Sequence, residues 1–134
     1  MQNKIVRCEK LSISNSNPFT LIAGPCQLEN ENHAINVAKQ LKEITEKLKI
    51  GFIYKTSFDK ANRTSLKGKR GAGLEQSLPI FDKIKKELNV PILTDIHNIE
   101  QCAIVAKHVD VLQIPAFLCR QTDLLIAAAK TKKL

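Results

Sequence analysis

Tryptophan is absent from this chain of 134 residues and tyrosine occurs once, which leaves little with which to stack unpaired bases. No nucleic-acid module signature compensates, so the excess of 21 Lys and Arg over 13 Asp and Glu does not point to nucleic acid. Long hydrophobic runs are missing as well. None approaches the roughly 18 residues of a membrane span, and positions 1–10 carry charge without the apolar core of a signal peptide. No membrane partner is expected, and the expected compartment is the cytoplasm. The four cysteines, Cys8, Cys26, Cys102 and Cys119, form no CxxC pair, which argues against a disulfide framework or a zinc ribbon and suits a reducing environment. Five glycines and five prolines are too few for a low-complexity segment, and no internal repeat is evident.

What is present is an alternation of short apolar runs with helical periodicity. Lys4 to Arg7 and Leu11 to Ser14 suit a hairpin, and Phe19 to Ala23, ended by Gly24-Pro25, reads as a buried strand. Asn30 is placed to cap a helix with Ala34, Val37, Ala38, Leu41, Ile44 and Leu48 on one face, ending before Gly51. Phe52 to Thr56 forms the next strand. Leu78, Phe81, Ile84 and Leu88 mark a second helix, with Ser77 as its cap and Pro79 in its first turn. Pro91 to Thr94 and Val111 to Ile114 are further strands, separated by a helix through Ala103 and Ala106 that Asn98 and Gln101 cap as a pair. Thr122 to Lys130 is the last helix. Such βα units call for a parallel sheet, either doubly wound or a (β/α)8 barrel. Cys26, Lys55, Ser57, Asp95, His97 and Gln113 all fall at or just past strand ends, where both architectures bind ligands. No GxGxxG follows the first strand, which weakens a dinucleotide reading.

The connection after the second strand is long for a βα loop, and long connections in compact domains tend to be functional or mobile. It reads Lys55-Thr56-Ser57-Phe58-Asp59-Lys60-Ala61-Asn62-Arg63-Thr64-Ser65 and continues through Lys67, Lys69 and Arg70. Lys55, Lys60 and Arg63 supply charge-assisted donors for phosphate oxygens, and Asn62, Thr64 and Ser65 supply neutral ones. A solvated basic loop is the plainer alternative. This run resembles the substrate loop of the 3-deoxy-D-manno-octulosonate 8-phosphate synthase family. Three further stretches resemble the same family in order and spacing: Ala23-Gly24-Pro25-Cys26, Thr94-Asp95-Ile96-His97, and Gln113 through Leu124.

The resemblance implies an α/β chain of the (β/α)8 TIM-barrel class. Residues 1–134 would be the N-terminal half of one barrel domain, holding the hairpin and about four βα units, since a whole barrel needs about 250 residues. The implied reaction condenses phosphoenolpyruvate with D-arabinose 5-phosphate and water, giving 3-deoxy-D-manno-octulosonate 8-phosphate and phosphate for lipopolysaccharide (Kdo) synthesis. Its implied catalytic residues are Lys55, Lys60 and Asp95. Ser57 and Gln113 go with the reacting centre, and Asn62, Arg63 and Thr64 with the sugar, Thr64 standing where many relatives have Ser. Phe117 and Arg120 would reach a neighbouring subunit of a homo-oligomer, a tetramer. Cys26, otherwise an ordinary buried cysteine, would mark the class that uses a divalent transition metal (zinc, iron or manganese). His97 is left outside the catalytic set as a lone histidine without a partner, and His33 and His108 are expected at the surface. Two rivals stand beside this reading: a synthase that uses erythrose 4-phosphate, whose loop typically reads Lys-Pro-Arg-Thr-Ser, and a half-barrel without catalysis.

Overall fold

The computed structural model describes residues 3–60 and 65–134. The hairpin pairs β1 (Val6–Cys8) with β2 (Leu11–Ile13), antiparallel, with Cys8 opposite Leu11. The first strand lies later than the expected Lys4 to Arg7, and Glu9, at φ 50°, makes the left-handed turn after the buried Cys8. A four-stranded parallel sheet follows in the order β3 (Thr20–Ala23), β4 (Gly51–Lys55), β5 (Ile92–Asp95), β6 (Val111–Gln113). Every neighbour in the sheet is thus the next strand in sequence.

The connecting helices are α1 (Glu31–Leu48), α2 (Leu74–Leu88), α3 (Ile99–Val105) and α4 (Thr122–Lys130), with a 3-10 turn over Ala116–Leu118. As the sequence indicated, the Asn30 side chain accepts from His33 N at 2.9 Å and caps α1. Its end differs from expectation. Lys49, at φ 55°, makes the left-handed exit, while Gly51 opens β4. Gly51 is needed there because a Cβ would sit 2.6 Å from Thr20 Oγ1, across the β3–β4 register pair.

Helix α2 also starts earlier than predicted. Gly73 occupies the cap position, and Ser77 lies buried inside the helix with its hydroxyl donating to Gly73 O at 2.6 Å. Pro79 therefore sits past the first turn. It removes the N–H that would serve the Glu75 carbonyl, yet both residues are exposed, so the lost bond falls where water replaces it. At α3 the Asn98 side chain accepts from Gln101 N, but Gln101 Oε1 accepts from His97 N at 2.7 Å instead of returning to the cap residue. The helix ends at Val105, one residue before the expected Ala106.

Alternation along the strands divides the sheet into two faces. One face, with Phe52, Tyr54, Ile92 and Ile96, packs on the four helices through Ala34, Ala38, Phe81, Ile84, Val105 and Leu124. Helices on one face only, over a sheet in sequential order, are inconsistent with a doubly wound arrangement, which places them on both. The other face carries Ile53 and Leu93 at its lower end, and the hairpin closes over them with Cys8, Leu11 and Ile13. Asp110 secures the same end: buried, it accepts from Ile92 N at 2.9 Å and from Lys85 Nζ at 2.5 Å.

Candidate active site

Two residues further up each strand, the hairpin-covered face changes character. Registers Lys55↔Leu93, Leu93↔Val111 and Asp95↔Gln113 put Lys55, Asp95 and Gln113 on that face above Ile53, Leu93 and Val111. Continuing the alternation, Ser57 and His97 follow Lys55 and Asp95. The result is a cleft of about 580 Å³ lined by Cys26, Lys55, Ser57, Asp59, Lys60, Asp95, His97, Pro115, Phe117 and Leu118.

Its organising group is the Asp95 carboxylate. One oxygen accepts from the Ser57 hydroxyl and the other pairs with His97 Nε2 at 3.0 Å. Partial burial would raise the Asp95 carboxyl, but the bonds from His97 and Ser57 outweigh it and hold the carboxyl below its ordinary value. The same bond to Asp95 holds the His97 imidazole above its ordinary value, against the effect of burial. Phe58 meets the imidazole edge to face, centroids 5.3 Å apart, and Gln101 fixes the His97 backbone. Asp95 as acceptor requires Nε2 to carry a proton, which leaves His97 Nδ1 buried and without a hydrogen-bond partner among the described residues.

The walls are tied together at the mouth. Gly24 packs so closely on β4 that an added Cβ would lie 1.9 Å from the Lys55 carbonyl oxygen, which presses the Cys26 turn onto the Lys55 strand. Gln27 bridges to Ser57 and Leu28 N donates to Ser57 O at 2.8 Å. Lys60 N donates to Arg70 O at 2.6 Å, Gly73 N to Phe58 O at 3.0 Å, and Arg70 grips Asp59 with two bonds, closing the neck of the long loop. Arg70, part of the basic run in the sequence, is thus spent on Asp59.

Of the residues the sequence singled out, Cys26, Lys55, Ser57, Lys60, Asp95 and Phe117 come together around this cleft. Gln113 and Arg120, both exposed, are not among its lining residues, and Asn62, Arg63 and Thr64 lie outside the described residues. His97 is a correction: it has a partner two residues back. The Asp-x-His spacing at a strand end was the available signal, because residues two apart in an extended strand share a face. Cys26 is corrected from buried to exposed. His108 is half-buried and bonds Asp82 at 2.8 Å, joining the turn after α3 to α2. A larger groove, about 740 Å³, lies between α3 and α4 and is lined by Ile99, Ala103, Ile126 and Lys107 among others. Its lining holds no paired carboxylate and imidazole, so the smaller cleft is the candidate site.

The family model described as the DAHP synthetase I family matches residues 3–134. The chain belongs to the DAHP synthetase I family. Similar proteins carry the name 2-dehydro-3-deoxyphosphooctonate aldolase. One from Chelativorans sp. (strain BNC1) is 63% identical over 131 residues, which is 98% of this chain and 48% of that protein. Another, from Brucella ovis, is 64% identical over 129 residues, 96% of this chain and 47% of that protein. The chain spans about half the length of the curated relatives it matches.

A metal finds only a beginning of a site. Cys26 Sγ is exposed at the cleft and accepts from Lys60 Nζ at 2.8 Å, and no group of three or more His, Cys, Asp or Glu able to hold an ion forms among the described residues. A lone thiolate does not make a zinc or iron site, so the described residues by themselves do not fit one.

Proposed function

We propose that the chain is the N-terminal half of a single (β/α)8 barrel domain that condenses phosphoenolpyruvate with D-arabinose 5-phosphate and water, releasing phosphate and 3-deoxy-D-manno-octulosonate 8-phosphate for Kdo synthesis in the cytoplasm. The observation that carries this reading is the convergence of Lys55, Lys60, Ser57 and Asp95 on one cleft at the strand ends. The names of the half-matching relatives support the choice of sugar over erythrose 4-phosphate. Singly wound strand order supports the barrel.

Two phosphorylated substrates bring several negative charges into one cleft, and cations in a water-poor site offset the repulsion. Lys55 and Lys60 fill that role toward phosphoenolpyruvate. Asp95, kept ionised by Ser57 and His97, holds His97 in the Nε2–H form and accepts or returns a proton at the reacting centre. Gln113 joins the reacting centre from the end of β6. Asn62, Arg63 and Thr64 take the sugar, with Arg63 and Thr64 at its phosphate. Phe117, 84% exposed, and Arg120 suit contact with a neighbouring subunit of a homo-oligomer, a tetramer. Cys26 would contribute one ligand to a divalent transition metal whose other ligands come from outside residues 1–134, and no step here passes through it.

The test joins residues 1–134 to the unmatched remainder of the Chelativorans protein and follows product from phosphoenolpyruvate with each sugar phosphate. Product with arabinose 5-phosphate, lost in Asp95→Asn and Lys60→Ala, is expected. Residues 1–134 alone should form none. A folded fusion that uses only erythrose 4-phosphate, or neither sugar, would refute the proposal.

A further inference from the structure

The groove between α3 and α4, at about 740 Å³, shares no lining residue with the strand-end cleft and has the volume of a small-molecule site. Its origin is local. Cys102, Ala103, Ala106 and Ala127 are too small to fill the space between the two helices, so Ile99 and Ile126 on its walls stay 49% and 47% exposed. Its charge is one-sided. Lys107, Lys130 and Lys133 line it against a single carboxylate, Asp123, and none of these three ammonium groups has a salt-bridge partner among the described residues, whereas Lys42, Lys83 and Lys85 are each paired. The charges are also sorted along the groove. Helix α3 returns between parallel strands, and α4 returns to set Leu134 O against Leu112 N, so both C-termini share one end. Lys107, Lys130 and Lys133 follow from that end, while Ile99 and Asp123 belong to the first turns at the other. Lysine at a helix C-terminus is ordinary by itself. Here it adjoins an apolar floor that the described residues leave open.

We propose that this groove binds a medium-chain fatty acid as its carboxylate, with the head among Lys107, Lys130 and Lys133 and the tail along Ala103, Ala127 and Ile126 toward Ile99. A purely polar anion would leave the apolar floor in water, and an uncharged hydrocarbon would leave the lysines without a counter-charge. The two features together select an anionic amphiphile. Asp123 fixes its direction, because a carboxylate head entering at that end meets a like charge. Helix length sets the tail. The longer wall, α4, has nine residues and rises about 13 Å at 1.5 Å per residue, so the floor covers a medium chain and not a long one. The same charge pattern disfavours a second copy of the chain as occupant, since a two-fold contact through this groove would set lysines against lysines. The site rests on the groove alone and on no property of the condensation cleft.

Titration of the purified chain with decanoate, kept below the concentration at which it forms micelles and followed by amide NMR, tests it. Saturable shifts at Ala103, Ile126, Ala127 and Lys130 are expected. Octanoate, shorter by two methylenes, should bind roughly tenfold more weakly, and decyltrimethylammonium, with the same tail and a cationic head, should not saturate the site. Lys130→Glu changes an exposed residue and should weaken decanoate by about fivefold, the most that one exposed ion pair contributes. Ala127→Leu fills the floor and should abolish binding; should that variant lose its fold, the chain-length and Lys130→Glu arms decide. The proposal is overturned if the two head groups bind alike, or if shifts spread equally to the exposed Val6, Phe19 and Phe117. It is also overturned if the groove amides shift with protein concentration in the absence of decanoate, which would make a second copy the occupant. Because the readout is binding at the groove, failure of the condensation assay would leave the result intact.

Discussion

The lower and upper halves of the hairpin-covered sheet face are built from the same strands, two residues apart, and do opposite work. Below, Ile53 and Leu93 are nearly inaccessible and meet Cys8 of the hairpin. Above, Lys55 and Asp95 point from the same strands into an open cleft. Among the described residues, the half that packs is lined by Ile53, Leu93 and Val111, and the half that lines the cleft is held by hydrogen bonds instead of apolar contact. Stability should therefore be concentrated below and chemistry above.

Truncation in the lower half should have the largest effect. Ile53→Ala removes apolar volume from under the hairpin and is expected to cost about 2–5 kcal/mol in denaturant unfolding, the range for Ile-to-Ala in cores. A loss well under 1 kcal/mol would mean that the hairpin does not close this layer. Asp110→Ala sharpens the comparison, because it places a polar group in the lower half in a structural role. It leaves Ile92 N unsatisfied and should cost about 1–3 kcal/mol, with no loss of ligand binding in the cleft. Asp95→Asn, the upper-half counterpart, keeps a side-chain oxygen for Ser57 and should cost about 1 kcal/mol, the net value of one hydrogen bond.

The pH dependence of the Asp95–His97 pair has a definite sign. His97 is held above its ordinary value, so its contribution is complete below about 6.5 and lost as pH rises through the folded midpoint. Asp95 is held below its ordinary value, so its contribution is complete above about 3.9 and lost as pH falls through its folded midpoint. The pair therefore stabilises most between these limits. NMR titration of His97 should give a midpoint above the ordinary value, falling in Asp95→Asn, and an unmoved midpoint would break the pairing. The smallest effect belongs to Phe117→Ser at the rim. With 84% of the residue exposed, its unfolding free energy should stay within about 0.5 kcal/mol of the parent.

Much of this division was legible in the sequence. Apolar runs ended by polar residues located all four parallel strands to within a residue or two, and the strand-end positions of Cys26, Lys55, Ser57 and Asp95 identified the cleft. The errors came where tertiary contact overrode local signals. Gly51 looked like a helix terminator and is a close-approach residue against Thr20. Ser77 looked like a cap and serves Gly73 from inside α2. Arg70, in sequence only a continuation of the basic run, is paired with Asp59. His97 read as a lone histidine, although the alternation that places Asp95 on the cleft face places His97 there too.

The most direct test of the division is backbone and imidazole NMR of residues 1–134 titrated with phosphoenolpyruvate. The account predicts saturable shifts at Lys55, Ser57 and His97 with Cys8, Leu11 and Ile13 unmoved. Shifts confined to the lysines of the α3–α4 groove, Lys107, Lys130 and Lys133, with the upper layer silent, would contradict it.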